Sequence, residues 1–272
     1  MNKNILITGV TGFLGRNLAA RLLKENHNVI GIAHSEKRVC ESWYKFTGFP
    51  IHFLDIAHDK HKLDYLVKKN KIDLIIHCAA MKHVGLCESN PYRTVEVNVV
   101  GSKNIIDVAY ENKVENVIGI STDKSINPLC VYGCSKMLME KMFIEKGYSV
   151  CRGVNFLFSD GSVLDIWKNQ KDSGVPINVN ASNTVRYFTT IEQFIDLIIE
   201  NLEQKEVVAN PSSCYKIKLH DLAKAFCEVH NHSAVEQNYD NPESEKVVEE
   251  IPDGISVIEP SIEEIKNLLK NL

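Results

Sequence analysis

The chain has 272 residues, a hydrophobic fraction of 44% and a formal net charge of −4 at pH 7. This length suits one large domain with a smaller second part, and the mildly acidic balance gives no indication of a nucleic-acid partner. No apolar run reaches the roughly 18 residues of a membrane span, and the first residues lack the apolar segment of a signal peptide. We therefore expect a cytoplasmic protein without a membrane partner.

The cysteines and histidines follow no metal-binding pattern. None of the eight cysteines forms a CxxC pair, and Cys130 and Cys134 have no second pair at zinc-site spacing. His230 and His232 are the two histidines nearest to each other in the chain, and we interpret them as a polar helix end. We expect reduced cysteine thiols in apolar surroundings and predict no metal.

A glycine-rich turn stands between the first strand and the first helix. Residues 4–8 form an apolar strand pattern, and apolar residues recur at helical spacing over residues 13–24. The intervening glycines follow a GxxGxxG pattern, which permits a tight turn and lets the helix N-terminus approach a pyrophosphate. Dinucleotide binding is therefore predicted for Gly9, Thr11, Gly12, Phe13, Leu14 and Gly15.

The end of the second predicted strand, residues 28–33, bears on the choice of coenzyme. An acidic residue at this point usually binds the adenosine ribose hydroxyls of NAD. Here the strand is followed by His34 and Ser35, with Lys37 and Arg38 close behind. The two basic residues suit a 2′-phosphate, so we predict tightly bound NAD(P), with NADP slightly favoured over NAD. The alternative, a solvated basic turn, stays open.

The third predicted strand adds a candidate contact to adenine. Residues 51–54 end in Asp55 and Ile56, and the Asp55 carboxylate is suited to the adenine amino group. A helix is predicted over residues 61–69, and residues 73–77 form the fourth strand.

Small residues follow the fourth strand. Ala79 and Ala80 leave room for the backbone to lie close to a cofactor. A long helix is predicted from Asn90 to about Tyr110, and the side-chain amide of Asn98 on it could brace the active-site strand. The alternative for Asn98 is an ordinary surface position.

The stretch 121–136 carries the predicted chemistry. It follows an apolar strand and leads into a helix on which Tyr132 and Lys136 share one face. A lysine ammonium beside a phenol stabilises the phenolate and lowers the phenol pKa, which makes Tyr132 a plausible base for a sugar or alcohol hydroxyl. Asp123 and Lys124 lie at the strand end, where open parallel sheets place their ligands. The alternative is a surface tyrosine with ordinary lysines.

Strands and helices alternate over the first 146 residues, which predicts an α/β fold with a Rossmann-type, doubly wound parallel sheet. Beyond this point the alternation decays, and a small C-terminal α/β substrate lobe is predicted. We place the NAD(P)-binding domain at residues 1–160, with contributions to about residue 200, and the lobe at 161–272. The elements predicted there are 149–155 (strand), 162–169 (helix), 183–190 leading into a helix at 191–201, 214–219 (strand), 220–230 (helix), 236–250 (acidic loop with a short strand) and 261–271 (helix, with Ser261 and Glu264 as a capping box).

Several motifs recur in chain order and carry a family resemblance. They are Thr8-Gly9-x-x-Gly12-x-x-Gly15; Ala79-Ala80-Met81-Lys82-His83-Val84 with Glu88 and Asn90-Pro91; Asn98-x-x-Gly101; and Ser121-Thr122-Asp123-Lys124 with Asn127-Pro128 and Tyr132-Gly133-x-x-Lys136. Together they resemble the extended short-chain dehydrogenase/reductases. Within that class the chain is similar to the inverting UDP-N-acetylglucosamine 4,6-dehydratases of bacterial surface-sugar and flagellin-glycan (pseudaminic acid-type) pathways. The adjacent Asp-Lys pair distinguishes this group from relatives with an Asp-Glu pair.

The resemblance implies a role for each residue of the predicted site. Tyr132, assisted by Lys136 and the Thr122 hydroxyl, would take the proton of the sugar C4 hydroxyl while hydride leaves C4 for the nicotinamide. Lys124 would then remove the C5 proton, and Asp123 would protonate the departing C6 hydroxyl before hydride returns to C6. A homo-oligomer, a dimer or larger, is also expected. The implied binding residues are Lys82, Asn98, Tyr132 and Lys136 for the cofactor, and Lys82, His83, Asn155, Ser162, Arg186 and Lys246 for the UDP-sugar.

Gly85 stands where the family has a proline, and the other departures from the family pattern lie beyond residue 150. Arg152-Gly153-Val154-Asn155 stands where the family has Arg-Tyr-Gly-Asn, and Asp160 replaces an arginine. The leading hypothesis is a UDP-N-acetylhexosamine 4,6-dehydratase, with or without inversion at C5. A second hypothesis, motivated by the altered pocket, is a pathway neighbour that acts on a dehydrated UDP-N-acetylhexosamine as a C4 oxidase with C5 epimerisation or as a 4-keto reductase. A non-catalytic dinucleotide sensor would have no reason to keep the Asp-Lys and Tyr-Lys pairs together.

Overall fold

The computed structural model describes residues 2–45, 48–180, 184–237, 251–252 and 254–270. The chain divides into two compact units. The first comprises Met1–Arg152 and Phe194–Asn210, and the second comprises Gly153–Gln193 and Pro211–Leu272. The assignment of residues 1–160 and 161–272 to two domains stays a prediction.

A seven-stranded parallel sheet with flanking helices forms the first unit. Its strands are β1 (Asn4–Thr8), β2 (Asn28–Ala33), β3 (Ile51–Phe53), β4 (Leu74–His77), β5 (Asn116–Thr122), β6 (Ser149–Gly153) and β10 (Val208–Ala209). Its helices are α1 (Phe13–Lys24), α2 (Glu36–Lys45), α3 (Lys60–Lys69), α4 (Val84–Ser89), α5 (Pro91–Val95), α6 (Gly101–Glu111), α7 (Val131–Glu145) and most of α9 (Ile191–Glu200).

The strand order confirms the predicted doubly wound sheet. The strands follow one another as β10-β6-β5-β4-β1-β2-β3, so the chain winds outward from β1 in both directions. The reversal occurs between β1 and β4, and the carboxyl ends of these two strands are where such sheets bind ligands. Ile5, Leu6 and Ile7 of β1 have no exposed surface, which is expected of a strand covered on both faces.

The predicted helix from Asn90 to Tyr110 is interrupted. A single π-helical turn, Glu96–Val100, separates α5 from α6 and carries the buried Asn98. Such turns insert one extra residue and often occur at functional sites. The helix before it, α4, was not predicted, because its six residues are too few to show a helical repeat of apolar positions.

The basic segment after β2 is helical, which the sequence analysis did not predict. Lys37 and Arg38 lie in the first turn of α2 and not in a loop. The Ser35 hydroxyl accepts a hydrogen bond from the Arg38 amide at 3.4 Å, and Glu36 is the acidic residue of the first turn. A serine cap and an early acidic residue both favour a helix start, so the same short segment that resembled a turn begins a helix.

The second unit contains two smaller sheets, of order β13-β11-β9-β7 and β12-β8. Its core includes Trp167 and Phe226, whose ring centroids are 5.8 Å apart. Its strands are β7 (Asn155–Phe156), β8 (Ile177–Asn180), β9 (Val185–Thr189), β11 (Ser213–Lys218), β12 (Ala234–Gln237) and β13 (Ser256–Ile258), and its helices are α8 (Val163–Asp172), α10 (Leu219–His230) and α11 (Ile262–Lys270).

Two predictions for the C-terminal half have clear outcomes. The strand predicted over residues 149–155 is present as β6, but it ends at Gly153, and Asn155 belongs to the separate strand β7, which pairs with β9. The capping box of α11 is present: the Ser261 amide donates to Glu264 Oε2 at 2.8 Å, and the Glu264 amide donates to Ser261 Oγ at 3.3 Å. The predicted acidic loop falls largely outside the described residues. Among the described helices none is long and apolar enough to cross a membrane.

Candidate active site

The turn between β1 and α1 is built around glycines that have no space for a side chain. Gly9 adopts a positive φ of 65°, and a Cβ there would lie 2.9 Å from the Ala79 backbone. A Cβ on Gly15 would lie 2.5 Å from the Gly9 carbonyl oxygen and 2.7 Å from Val10 Cα. Helix α1 begins after Gly12 without a side-chain cap. This turn fits the pyrophosphate of a dinucleotide, because an uncapped helix start beside close-packed backbone presents amide donors to an anion.

Gly15→Ala is expected to weaken NAD(P) binding by about 10–100-fold, because overpacking of this kind costs about 1–3 kcal/mol. The affinity would be measured by titration calorimetry. Gly85→Ala is the matched control, since a Cβ on Gly85 of α4 meets no atom within 4 Å. Wild-type affinity in Gly15→Ala would show that this turn does not hold the dinucleotide.

The other predicted residues of the turn have different surroundings. Thr11 is partly exposed, Leu14 is buried, and the Arg16 guanidinium lies 5.1 Å from the Phe13 ring centroid. Their contact with a cofactor stays a prediction.

A directed hydrogen-bond chain runs behind the turn. The Ala79 amide donates to the Thr8 hydroxyl at 3.0 Å, and this hydroxyl lies 2.8 Å from His77 Nδ1. His77 Nε2 lies 3.0 Å from Ser102 Oγ, which donates to the Asn98 carbonyl at 2.6 Å. Because the Ser102 hydrogen is used there, Nε2 of His77 donates and Nδ1 accepts from Thr8. Burial lowers the pKa of His77 to about 3, so the ring is neutral.

The side-chain amide of Asn98 joins the loop after β4 to helix α7. Its Oδ1 accepts from the Met81 amide at 2.8 Å, and its Nδ2 donates to the Met81 carbonyl and to Ser135 Oγ, both at 2.9 Å. Ser135 Oγ donates to the Tyr132 carbonyl at 2.7 Å. The amide therefore braces the loop carrying Ala80 against the helix carrying Tyr132. A direct contact of Asn98 with a cofactor stays a prediction.

Asp55, the predicted adenine contact, is held by protein groups. Its carboxylate accepts from Arg93 Nη2 at 2.7 Å and from the Ala57 amide at 2.8 Å. Burial alone would raise the pKa of Asp55, but the Arg93 guanidinium and this amide lower it. Ile56 is buried, and a Cβ on Gly101 of α6 would lie 2.8 Å from its side chain. Both oxygens of Asp55 therefore already accept a bond.

Basic residues from two distant segments come together near the end of β2. Burial lowers the pKa of His83, and the charges of Lys82 and Arg38 lower it further, so these three side chains lie within electrostatic reach of one another. Lys37 points elsewhere and pairs with Glu41 at 3.9 Å. His34 is exposed. Arg38 thus lies near Lys82 and His83, and the contact of these residues or of Lys37 with a cofactor stays a prediction.

The carboxyl end of β5 carries a buried ion pair. Asp123 and Lys124 lie in a short 3-10 turn, Asp123–Ser125, with side chains that are 1% and 11% exposed. Lys124 Nζ donates to Asp123 Oδ1 at 3.1 Å, and the Thr122 hydroxyl donates to the same oxygen at 2.6 Å. Thr122, Asp123 and Lys124 therefore lie together at the end of β5, and their catalytic roles stay a prediction.

Tyr132 faces this group from the first turn of α7. Burial raises the pKa of Tyr132, the Asp123 charge raises it further, and a hydrogen bond with the Thr122 hydroxyl partly opposes both. The prediction from the sequence that the pKa of Tyr132 is lowered is therefore wrong for the protein by itself. The expectation considered only Lys136, four residues along the helix, and could not include the carboxylate that the fold brings from β5.

Lys136 is buried behind Tyr132 on the same helix. Burial lowers the pKa of its ammonium to about 8, and nearby Cys78 and Glu140 oppose that change. The ammonium is therefore held in a buried position, where a polar ligand group can stabilise its charge.

Glu140 was not predicted as part of the site, yet it fixes the 3-10 turn. Its carboxylate accepts from Ser125 Oγ at 2.5 Å and forms two bonds with Arg152, at 2.8 and 2.7 Å. Ser125 Oγ also lies 2.6 Å from the Thr122 carbonyl. Glu88 fixes the start of α7, because its carboxylate accepts a hydrogen bond from the Val131 amide at 2.6 Å. Only one sequence signal could have identified Glu140 as part of the site, namely that it follows Lys136 by four residues on the same helix.

The predicted substrate residues of the second unit have structural partners of their own. Asn155 Nδ2 donates to the Tyr187 carbonyl at 2.8 Å. Arg186 Nη1 donates to the Val185 carbonyl at 3.0 Å, on the strand that pairs with the one carrying Asn155. Ser162 caps α8 by accepting from the Asp165 amide at 3.3 Å. Asn155 and Arg186 therefore lie on paired strands, and the role of all three in binding substrate stays a prediction. Lys246 lies outside the described residues.

A parallel Rossmann sheet with a glycine turn after β1 and a Tyr-x-x-x-Lys pair on the helix after β5 defines an extended short-chain dehydrogenase/reductase. The sequence pattern of the polysaccharide biosynthesis protein family matches residues 5–252, so the chain belongs to that family. The predicted enzyme class is thereby confirmed.

Individual relatives agree with this assignment. An uncharacterized membrane protein of Methanocaldococcus jannaschii is 35% identical to this chain over an alignment that covers 73% of this chain. The same alignment covers 62% of the length of that relative. A UDP-N-acetylglucosamine 4,6-dehydratase (inverting) of Campylobacter jejuni is 29% identical over 86% of this chain and 73% of its own. The crystal structure of Pen from Bacillus thuringiensis, 24% identical, covers 99% of this chain and 97% of that one with a TM-score of 0.86, which shows a shared fold.

Proposed function

We propose that the protein is a nucleotide-sugar-modifying enzyme that performs 4,6-dehydration of UDP-N-acetylglucosamine, with or without inversion at C5. The observation that carries the proposal is the buried Asp123-Lys124 pair, joined at 3.1 Å, bonded to the Thr122 hydroxyl and close enough to Tyr132 for the Asp123 charge to raise the pKa of its phenol. Alcohol oxidation alone requires a tyrosine and a lysine. An additional acid and base at the same place suit proton removal at C5 and loss of the C6 hydroxyl.

Tyr132, Lys124 and Asp123 each gain or lose a proton in the proposed reaction. When bound, NAD(P) supplies an acceptor for hydride from C4 and a donor for hydride to C6. Tyr132 accepts the C4 hydroxyl proton, and the Lys136 ammonium stabilises its phenolate. Lys124 takes the C5 proton, which the neighbouring C4 ketone makes acidic. Asp123 protonates the leaving C6 hydroxyl in a site where its own side chain is 1% exposed.

The coenzyme in this proposal is NAD(P), with NADP slightly favoured. The preference rests on residues of this chain alone: Arg38 in the first turn of α2, together with Lys82 and His83. No acidic residue closes β2. Comparing the affinities for NAD and NADP tests this part independently of the sugar chemistry.

The test of function is incubation of the purified protein with UDP-N-acetylglucosamine in deuterated water, followed by NMR. Three parallel samples receive no cofactor, NAD or NADP. We expect a C6 methyl signal with deuterium at C5 in the sample without added cofactor, because a tightly bound dinucleotide is regenerated in each turnover. Product only after cofactor addition would contradict tight binding, and no product in any sample would contradict the dehydratase.

A second candidate is a pathway neighbour that acts on a dehydrated UDP-N-acetylhexosamine, as a C4 oxidase with C5 epimerisation or as a 4-keto reductase. It is favoured by the substituted positions Gly153 and Asp160, which alter the predicted sugar pocket. A reductase needs only Tyr132 and Lys136, whereas an epimerase also needs Lys124. Turnover of a 6-deoxy-4-keto or 5,6-unsaturated UDP-sugar, with no reaction of UDP-N-acetylglucosamine, would select it.

A further inference from the structure

We infer that Glu140 is a positioning residue for the elimination step, because it ties the turn of the Asp123-Lys124 pair to helix α7. It acts through Ser125, the last residue of that turn. The inference rests on the proposed dehydration. Loss of this connection should slow proton removal at C5 and loss of the C6 hydroxyl, and leave oxidation at C4 intact.

One hydroxyl and two guanidinium nitrogens meet at the buried Glu140 carboxylate. Ser125 Oγ donates to its Oε1 at 2.5 Å, and Arg152 donates to Oε1 from Nε at 2.8 Å and to Oε2 from Nη2 at 2.7 Å. Ser125 is 2% exposed and the Glu140 side chain 5%. A bidentate arginine fixes the orientation of a carboxylate, so the oxygen that faces Ser125 is held in place.

The Ser125 hydroxyl also holds the turn to its own strand. Its oxygen lies 2.6 Å from the Thr122 carbonyl, so its one hydrogen serves two acceptor oxygens. The Ile126 amide closes the turn by donating to the Asp123 carbonyl at 3.1 Å. The backbone on both sides of Lys124 is therefore bonded, and Ser125 is the point at which this bonded segment is joined to Glu140.

The place of Glu140 on α7 keeps it apart from the reacting atoms. It follows Tyr132 by eight residues and Lys136 by four, on the same face of the helix. At 1.5 Å per residue, Glu140 lies about 12 Å along the helix axis from Tyr132. The helix alone sets the mutual placement of Tyr132 and Lys136, which an altered Ser125 leaves unchanged. The acid–base pair lies on the turn and moves with it.

Uncoupling the two halves of the reaction has a distinct chemical outcome. Oxidation moves hydride from C4 to the nicotinamide and the hydroxyl proton to Tyr132, which leaves a 4-ketone. Hydride can return to C6 only after the C5 proton and the C6 hydroxyl have left, the latter as water. Slow elimination with normal oxidation therefore lets reduced coenzyme accumulate. A general weakening of the site would slow both halves and give no accumulation.

The kinetic experiment compares Ser125→Ala with Ser149→Ala. The first removes the connecting hydroxyl and keeps the Glu140-Arg152 ion pair. The second is the matched control, because Ser149 of β6 is also buried and its hydroxyl donates to the Gln204 carbonyl at 2.8 Å.

The two halves are measured separately with UDP-N-acetylglucosamine, the first by absorbance of the bound nicotinamide and the second by deuterium at C5. Ser125→Ala is expected to slow C5 exchange by about 100-fold and to reduce the nicotinamide at close to the wild-type rate. Ser149→Ala should leave both rates unchanged. Equal slowing of both halves in Ser125→Ala, or of neither, would overturn the inference.

A double variant tests whether Glu140 acts through Ser125. Glu140→Gln has one acceptor oxygen where the carboxylate has two, so it cannot satisfy both Arg152 and Ser125. It is expected to slow C5 exchange about as much as Ser125→Ala does, and the double variant to be no slower than the slower single variant. Effects that multiply would contradict action through Ser125. Ser125→Ala, which keeps the ion pair, decides alone if Glu140→Gln does not fold.

Amide hydrogen exchange of the protein without substrate separates failure of the inference from failure of the proposed function. The Ile126 amide, which closes the turn, is expected to exchange about 10-fold faster in Ser125→Ala and at the wild-type rate in Ser149→Ala. An unchanged rate in Ser125→Ala would overturn the inference whatever the substrate. If wild-type protein makes no product from UDP-N-acetylglucosamine, the dehydratase proposal fails, and the exchange rate still decides whether Ser125 holds the turn.

Discussion

Lys124→Ala is expected to abolish deuterium incorporation at C5 of the nucleotide sugar, lowering its rate by about 10²–10⁴-fold. The ammonium of Lys124 lies 3.1 Å from Asp123 and is the second member of the predicted elimination pair. NAD(P) affinity should be unchanged, because the cofactor turn lies at the end of another strand, β1. NMR of the reaction in deuterated water measures the first quantity, and calorimetry measures the second.

Removing Lys124 also leaves the buried Asp123 carboxylate without its cation, which can destabilise the turn. Lys124→Gln addresses this, because its amide still donates to Asp123 but cannot act as a base. Lys141→Ala, at an exposed position of α7, is the control for loss of a lysine. Wild-type C5 exchange in Lys124→Gln, with unchanged thermal unfolding, would rule out Lys124 as the base.

Gly133→Ala is expected to lower turnover by about 100-fold or more. A Cβ on Gly133 would overlap the carbonyl oxygen of Lys124 and lie 3.3 Å from Pro128 Cα. Both obstacles are backbone, so either α7 or the 3-10 turn must shift, which separates Tyr132 from the Asp123-Lys124 pair. A misplacement of about 1 Å between reacting groups can cost about 100-fold in rate.

The measurement is steady-state turnover together with the unfolding midpoint of Gly133→Ala. Gly85→Ala is again the matched control, because its added Cβ meets no atom within 4 Å. A structure of Gly133→Ala should show a changed separation between the Tyr132 phenol and the Thr122 hydroxyl. Full activity with an unchanged separation would show that the close approach of helix and turn is not needed.

The sequence predicted well those parts of the fold in which local pattern and tertiary packing agree. The bounds of β1, α1 and β2 agree with their predictions, because apolar strands and an amphipathic helix around a glycine turn leave few alternatives. Short elements were less predictable. β10 has two residues, α4 has six, and neither is long enough to show a period.

The residues of the site were predicted from the sequence, but the hydrogen bonds and charge interactions between them were not. The Tyr132-Lys136 pair could be proposed from spacing within one stretch, and the roles of Asp123 and Lys124 from the family resemblance. The two hydrogen bonds that Arg152 donates to Glu140 join residues 12 apart, which spacing does not connect, and the hydrogen bond from Asn98 to Ser135 spans 37 residues. The pKa direction of Tyr132 failed for the same reason, since it depends on how the fold places a carboxylate and not on the helix alone.

The neutral His77 ring makes the first unit sensitive to acid. Burial lowers the pKa of this ring from 6.5 to about 3, whereas unfolding restores its contact with water. Between those values the unfolded chain binds a proton that the folded chain does not, so the stabilisation from His77 is complete above pH 6.5 and is lost as the pH falls towards 3. The difference between 6.5 and about 3 corresponds to roughly 5 kcal/mol, which is comparable with the net stability of a small domain. Protonation of this one interior imidazole thus opposes folding of the sheet increasingly as the pH falls below 6.5.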